Sequence, residues 1–202
     1  MKFRKPMNNK NIEQPPAGTH LARCYQIVDL GTQYNKFYDN YRHQVFINFE
    51  LPDNVVKYTD NEGEHHTRTH TIGKFYTMSL GEKANLRNDL EGWRGQAFTL
   101  EELDGFDPKK VLGKAALLNI VHVNNDERTK AKISSISKPM EGMECKPSVN
   151  EPLFFALDEF SQESFDALPK GLQDIIMKSQ EWGTINKGTQ QEPLEEEDDL
   201  PF

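Results

Sequence analysis

The order of its strand and helix patterns is the feature that most constrains how this chain of 202 residues can fold. Residues 43–51, HQVFINFEL, alternate apolar and polar side chains, so they predict a strand with one buried face. Other strand patterns occur on both sides of this segment, and an amphipathic helix pattern separates the first three from the last two. The strand patterns lie at about 19–30, 43–51, 74–78, 113–123 and 129–137.

The helix pattern has a predicted start, an apolar face and a predicted end. Residues 79–82 match the capping box S-x-x-E, which predicts that the helix begins there. Gly92 and Gly95 predict where it stops. The apolar face, at positions i, i+4 and i+7, consists of Leu86, Leu90 and Trp93.

Three strands, one helix and two strands are the elements of the OB-fold in their chain order. We therefore predict a mainly β protein with some α-helix, in which residues 18–147 form this five-stranded, partly open Greek-key barrel. An unrelated α+β sheet is the alternative. The connecting segments are predicted as an irregular basic arm at 1–17, a loop at 31–42 and, after Pro52 ends the second strand, a long loop or extended hairpin at 53–72.

The last quarter of the chain differs in pattern and in charge. Residues 148–183 place apolar side chains at helical spacing, and because short helices need a tertiary partner we expect them to pack on the barrel. Folding only on a binding partner is the alternative. Residues 184–202 are predicted to be a disordered acidic tail. Residues 1–150 hold 21 Lys and Arg against 19 Asp and Glu, a net of +2, whereas 151–202 hold 3 against 13, a net of −10.

This charge asymmetry is typical of a nucleic-acid-binding protein with an acidic tail. The chain ends in EEEDDLPF, where five consecutive acids precede an apolar ending. A partner pocket would bury the ring of Phe202, and an Arg there would hold the terminal carboxylate. A solubilising acidic run is the alternative interpretation. The predicted interaction tip consists of Asp198, Asp199, Leu200, Pro201 and Phe202.

The tip resembles that of bacterial single-stranded DNA-binding proteins, which close on a run of Asp followed by an apolar residue, Pro and Phe. Leu200 at the variable apolar position and Glu in part of the acidic run are departures that keep the chemistry. The segments FYTMSLGEKANLRNDLEGWRG and GKAALLNIVHVN resemble single-stranded DNA-binding proteins encoded by bacteriophages, which also use an OB-fold. The resemblance implies that the tip binds replication, recombination and repair enzymes.

Aromatic and basic side chains in and near the first loop are the candidate contacts for a single strand. Bases of any identity stack on flat rings, and cations neutralise the phosphates. In OB-folds the second and third strands and the adjoining loops form the binding surface. For each ring the alternative role is core packing, and for each cation it is solvation. The candidates are Tyr34, Lys36, Phe37, Tyr38, Tyr41, Arg42, Phe46, Lys74 and Phe75, with Arg23, Arg68, Lys130 and Lys132 as further phosphate contacts.

The sequence holds no motif of an enzyme or of a cofactor site, so we expect neither. His65, His66 and His70 share a polar stretch without a neighbouring cysteine, which favours loop histidines over a zinc site. Cys24 and Cys145 are predicted to be free thiols. No apolar stretch is long enough to span a membrane and no secretory signal is visible, so we expect a cytoplasmic protein, in the bacterial host if it is phage-encoded.

Two functions of different classes fit these patterns. The first is a sequence-independent single-stranded DNA-binding protein that coats and protects exposed strands and recruits enzymes through its tip. The second is an OB-fold interaction module whose acidic tail mimics DNA and inhibits a host nucleic-acid enzyme. The aromatic loop favours the first, because a DNA mimic has no use for stacking surfaces. A metal-dependent nuclease fits the sequence least.

Overall fold

The computed structural model describes residues 13–59, 64–125 and 128–189, which form a mainly β structure with a few short helices. Three long strands follow one another as two antiparallel hairpins, and two later strands form a third hairpin. The strands are β1 (Gly18–Asn35), β2 (Asn40–Thr59), β3 (His65–Thr77), β4 (Ala115–Asn125) and β5 (Arg128–Ser137).

The five strands form one strongly curled antiparallel half-barrel. Their order is β3-β2-β1-β4-β5, so β1 is central and pairs with β2 on one side and β4 on the other. The edge strands β3 and β5 curve toward each other until some of their Cα atoms lie within 8 Å. The main core fills the inside of this half-barrel, and its largest buried side chains include Ile27, Phe49, Leu51, Leu118 and Ile133. The prediction of a mainly β fold is therefore confirmed.

The strands are longer than their sequence patterns predicted. The predicted loop 31–42 is mostly strand, because only residues 36–39 lie between β1 and β2. Of the two predictions for 53–72, the extended hairpin is correct, and Pro52 does not end the strand. A register shift between Leu51 and Val55 accommodates this proline, which has no N–H group to donate to the ladder.

Helix α1 (Asn85–Arg94) is the first helix between β3 and β4 in the chain, and it packs against both edge strands. Its start is not where the capping motif predicted. The hydroxyl of Ser79 accepts a hydrogen bond from the N–H of Gly81 at 3.2 Å, and this local turn replaces the helical cap. The predicted apolar face, however, is buried as Leu86, Leu90 and Trp93.

Gly92 and Gly95 have different roles, although both were predicted to end the helix. Gly95 does end it, in the left-handed conformation with φ 69°. Gly92 lies inside the helix, where a Cβ atom would come within 2.7 Å of the carbonyl oxygen of Ile136. Gly92 therefore allows α1 to approach the backbone of β5 closely. A capping box does occur at the next helix, α2 (Leu100–Asp104), where it is formed by Thr99 and Glu102.

The C-terminal module, residues 153–189, covers the other face of β1. Its elements are the strand β6 (Leu153–Phe155), which pairs parallel with β1, and the helices α3 (Gln162–Asp166), α4 (Lys170–Ile176) and α5 (Trp182–Thr189). Val28 and Leu30 of β1 belong to a second apolar cluster that these elements complete. The other buried members are Phe155, Leu157, Phe165, Leu168, Leu172 and Ile176.

The two chain ends are described only in part. Residues 184–189 are helical as part of α5, so the prediction of disorder from 184 onward is wrong for them. Residues 1–12 of the predicted arm and residues 190–202, with the acidic run and its tip, lie outside the described residues. Within the arm, the side chain of Gln14 accepts a hydrogen bond from the N–H of Ala131 in β5 at 3.1 Å. None of the helices in the described ranges is long and apolar enough to cross a membrane.

Candidate nucleic-acid interface

The tip of the β1–β2 hairpin exposes a group of aromatic rings. Tyr34, Phe37, Tyr38 and Tyr41 are 53%, 84%, 72% and 57% exposed. Tyr34 and Tyr41 lie directly opposite each other in the β1–β2 pair, and their ring centroids are 5.3 Å apart. Core packing therefore does not account for these four rings, and they are free to contact a ligand.

The turn keeps cations beside these rings. The ammonium of Lys36 lies 5.4 Å from the centre of the Phe37 ring, and the guanidinium of Arg42 lies 5.8 Å from that of Tyr38. The hydroxyl of Tyr34 donates a hydrogen bond to the carboxylate of Asp39 at 2.7 Å. Asp39 has a φ angle of 47°, so this hydrogen bond holds the turn at a residue in the left-handed conformation. Six of the predicted contacts thus meet in one exposed hairpin tip.

The outer face of β2 and β3, which points away from the main core, carries a second pair of rings. Phe46 and Phe75 lie directly opposite each other, with ring centroids 4.6 Å apart. Phe75 is 52% exposed, whereas Phe46 is half-buried against the second apolar cluster. Gly73 makes room for the Phe46 ring, since a Cβ atom at that position would overlap it. Phe46 therefore has both a packing role and an exposed edge.

Alternation along β2 connects the two groups of rings. Side chains two residues apart share a face of a strand, so Arg42, Gln44, Phe46 and Asn48 form one row. Asn48 donates to the hydroxyl of Tyr25 at 2.7 Å, which extends the row onto β1. We call this surface the aromatic track and define it as Tyr25, Tyr38, Arg42, Phe46 and Phe75.

Tyr25 was not predicted as part of the site. It stands at the register shift between Cys24 and Gln26, so the alternation of β1 does not show which way it points. Partial burial raises the pKa of its hydroxyl, although hydrogen bonds with Thr71 and Asn48 oppose this effect. The phenol is therefore neutral at physiological pH and is suited to donating a hydrogen bond.

Lys74 lies on the face opposite Phe75, because neighbouring strand residues point in opposite directions. Its ammonium is 2.5 Å from the carboxylate of Asp89 in α1 and also lies over the ring of Tyr76. Lys74, predicted together with Phe75 as a contact for a single nucleic-acid strand, therefore does not share the exposed face that carries Phe75. Lys74 instead joins β3 to helix α1.

Arg23 is engaged inside the protein rather than at the aromatic track. Its Nη1 donates to the carbonyl of Gly113 at 2.7 Å, its Nη2 to that of Cys145 at 2.6 Å and its Nε to that of Lys146 at 3.0 Å. Each guanidinium nitrogen thus already has a partner. The prediction of a phosphate contact does not fit this geometry, since phosphate would have to replace backbone carbonyls.

Glu50 holds the same segment from the neighbouring strand, where it lies directly opposite Arg23. Its fully buried carboxylate accepts hydrogen bonds from the N–H groups of Val149 at 2.8 Å and Asn150 at 2.9 Å. Burial alone would raise the pKa of Glu50, but these hydrogen bonds outweigh it and lower the pKa. Residues 145–150, here called the strap, therefore cross the outer face of β1 and β2 and end the aromatic track.

Arg68, Lys130 and Lys132 lie toward the other end of the sheet from the hairpin tip. Arg68 is opposite Val56, 15 positions along β2 from Tyr41. It lines a cavity of about 420 Å³ together with Ala131, the residue between the two lysines. The structure thus brings these cations toward one another where β3 approaches β5, but it does not bring them to the hairpin tip.

The base of the hairpin is joined to the C-terminal module by charged groups. The imidazole Nε2 of His43 lies 2.6 Å from a carboxylate oxygen of Asp29, and Nδ1 lies 3.6 Å from Glu181. Glu181 also accepts hydrogen bonds from the N–H and hydroxyl of Thr32, at 2.7 and 2.6 Å. The hydrogen bond with Asp29, opposed by partial burial, raises the pKa of His43.

The described residues show no arrangement suited to a metal. No group of three or more His, Cys, Asp or Glu side chains is placed to hold an ion within the three described ranges. His65 and His66 lie at the start of β3, and His70 is buried, which lowers its pKa. Burial raises the pKa of the Cys24 thiol to about 12, so it is unreactive at neutral pH.

Comparison of the sequence with known proteins does not identify a relative. No protein-family model matches the chain, and no curated protein is similar to it at a significant level.

Proposed function

We propose that this protein is a sequence-independent single-stranded DNA-binding protein. The observation that carries the proposal is the aromatic track, which leads from an exposed hairpin tip with four aromatic rings along the outer face of β2 to the strap. Stacking on such rings does not depend on base identity, and each stacked base contributes about 1–3 kcal/mol. The cations beside the rings, Lys36 and Arg42, are placed to neutralise phosphates.

The same proposal includes the finer identity of the fold. A curled antiparallel sheet of order β3-β2-β1-β4-β5, with a helix between β3 and β4, is the arrangement expected of an OB-fold. In that fold, β2, β3 and the adjoining loops bind the nucleic-acid strand, and these elements carry the aromatic track apart from Tyr25, which lies in β1. We further propose that the protein is phage-encoded and acts in the host cytoplasm during replication, recombination or repair. This part of the proposal rests on the resemblance of its sequence segments to single-stranded DNA-binding proteins of bacteriophages.

Recruitment of partner enzymes is assigned to the tip, Asp198 to Phe202, from its sequence. The acidic run draws the tip toward basic surfaces over about 8 Å at physiological ionic strength. Deleting only Phe202 removes the ring and leaves every side-chain charge in place. Replication and repair enzymes of the host should then bind poorly in a purified two-component assay, while DNA binding is unchanged.

Titration with labelled oligo(dT), duplex DNA and RNA of equal length tests the central proposal. Oligo(dT) should bind tightly, and its affinity should fall as salt is raised from 50 to 300 mM, because phosphate contacts release counterions. Duplex DNA should bind much more weakly, since its bases are already stacked on one another. Equal affinity for single-stranded and duplex DNA would refute the proposal.

A further inference from the structure

A basic pocket lies outside the aromatic track, between the end of α1, the start of β4 and the end of β5. Its volume is about 540 Å³, and it shares no lining residue with the track. Four of its lining side chains are cations, whereas Glu102 is the one acid among them. The cations are Arg94, Lys110, Lys114 and Lys138.

The positive charge of this pocket is only partly balanced. Glu102 is 2.5 Å from Nη2 of Arg94, but Nη1 of Arg94 is buried and has no hydrogen-bond partner among the described atoms. None of the three lysines forms an ion pair with a carboxylate of the described residues. An incoming anion would therefore meet a cluster of positive charge that Glu102 balances only in part.

Apart from these charged side chains and Gln96, the residues that line the pocket are apolar, and two of them are methionines. Met140 and Met143 are exposed at its rim, and Val111 and Ala115 lie among its lining residues. Trp93 is buried and donates from its indole nitrogen to the carbonyl of Ala115 at 2.7 Å, so it offers no face for a base. Methionines adapt to varied apolar side chains, which suits a peptide better than a stacked nucleotide.

We propose that this basic pocket is a docking site for an acidic peptide segment of a partner protein, in which carboxylates are followed by apolar side chains. The lysines hold the carboxylates, and the methionine rim receives the apolar side chains. The inference does not depend on the proposed function of the aromatic track, because the two surfaces have no residue in common.

Fluorescence anisotropy with the full chain and a labelled synthetic peptide, four aspartates followed by Leu-Pro-Leu, tests this site. The triple variant Lys110→Ser, Lys114→Ser, Lys138→Ser should bind at least tenfold more weakly at 50 mM salt. A matched variant with three exposed lysines changed elsewhere, Lys57→Ser, Lys83→Ser, Lys178→Ser, should bind within twofold of the original chain. A peptide with Asn in place of Asp should bind poorly to all three proteins.

The apolar part of the site has its own test. Met140→Gln with Met143→Gln should weaken binding of the same peptide about threefold, and should have no effect on a peptide whose leucines are replaced by serine. Unfolding midpoints in urea verify that each variant is folded.

The proposal is overturned if the original chain does not bind the aspartate peptide, or if the two lysine variants bind it equally. It is also overturned if the pocket variant loses oligo(dT) affinity to the same extent as peptide affinity, since the pocket would then be a nucleic-acid contact.

Discussion

At the scale of single residues, exposure divides the predicted aromatic contacts into two kinds. Phe37 and Tyr38 project from the hairpin turn and contribute little to the core, whereas Phe46 packs on Gly73 and against the C-terminal module. A sequence does not make this distinction, because aromatic residues have the same spacing whether they stack on a ligand or on a neighbouring ring. The face occupied by Lys74, by contrast, follows from its position next to Phe75 in the strand.

Replacing Phe37 or Tyr38 by Ala should weaken oligo(dT) binding without changing stability. If each ring stacks on one base, the loss is about 1–3 kcal/mol, which is roughly a 5- to 150-fold increase in Kd. Fluorescence titration and thermal unfolding measure the two effects. Leu100→Ala is the control, because Leu100 is 86% exposed and lies outside the aromatic track. A Kd within twofold of the original for both ring variants would show that the tip does not stack on bases.

The Asp29–His43 pair should make stability depend on pH. The hydrogen bond to Asp29 raises the pKa of His43 above 6.5, so its stabilising contribution is complete below pH 6.5 and is lost as pH rises through the raised value. Burial would raise the pKa of Asp29, but the hydrogen bonds from His43 and from the N–H groups of Gly31 and Leu157, with the charge of His43, together outweigh burial and lower the pKa below 3.8. Glu181 and Asp158 also face the imidazole and favour its charged form.

The contribution of this pair is therefore largest between about pH 4 and 6.5. Urea unfolding of the original chain and of His43→Gln at pH 5, 7 and 9 measures it. The difference in free energy of unfolding between the two proteins should shrink as pH rises. A difference that stays constant over this range would show that His43 does not act through its charge.

At the scale of secondary-structure elements, local patterns were sufficient for the order of strands and for the buried face of α1. They were insufficient where an element is fixed by distant residues. The strap is held by Arg23 and Glu50, which are 99 to 123 positions away from their partners in the strap. Alternation predicted Glu50 on the polar face of its strand, but no local pattern shows that the strap covers it.

Glu50→Gln should loosen the strap and destabilise the protein. The NH2 group of the new side chain would face a backbone N–H of the strap, from which the carboxylate of Glu50 accepts a hydrogen bond. Hydrogen bonds to a charged group contribute about 1.5–3 kcal/mol. Urea unfolding should show a loss of this order, and the amides of Val149 and Asn150 should exchange faster with solvent. Asp53→Asn is the matched control, because its ion pair with Lys146 is exposed and contributes about 0–1 kcal/mol. Equal stability of the two variants would contradict the role assigned to Glu50.

At the scale of the whole molecule, β1 is the element on which both apolar clusters depend. Ile27 faces the main core, while its neighbour Val28 faces the C-terminal module. A strand that is buried on both faces has a nearly continuous apolar pattern, which residues 27–30 have in part. The parallel pairing of β6 and the position of the module, however, depend on contacts between residues more than 120 positions apart, which no local pattern shows.

Shortening the chain should distinguish the module from the segment that follows it. A chain ending at residue 189 keeps all of the strands and helices of the fold, so its thermal midpoint should stay within about 2 °C of the original, since 1 kcal/mol corresponds to roughly 2–4 °C at this size.

A chain ending at residue 152 loses Phe155, Phe165, Ile176 and their neighbours and exposes Val28 and Leu30 to water. Burial of each such side chain contributes about 1.5–3 kcal/mol, and whole domains are stable by only about 5–15 kcal/mol. Calorimetry and size-exclusion chromatography should therefore show that the shorter chain is unfolded or aggregated. Cooperative unfolding of that chain at the original midpoint would show that the half-barrel is stable without the C-terminal module.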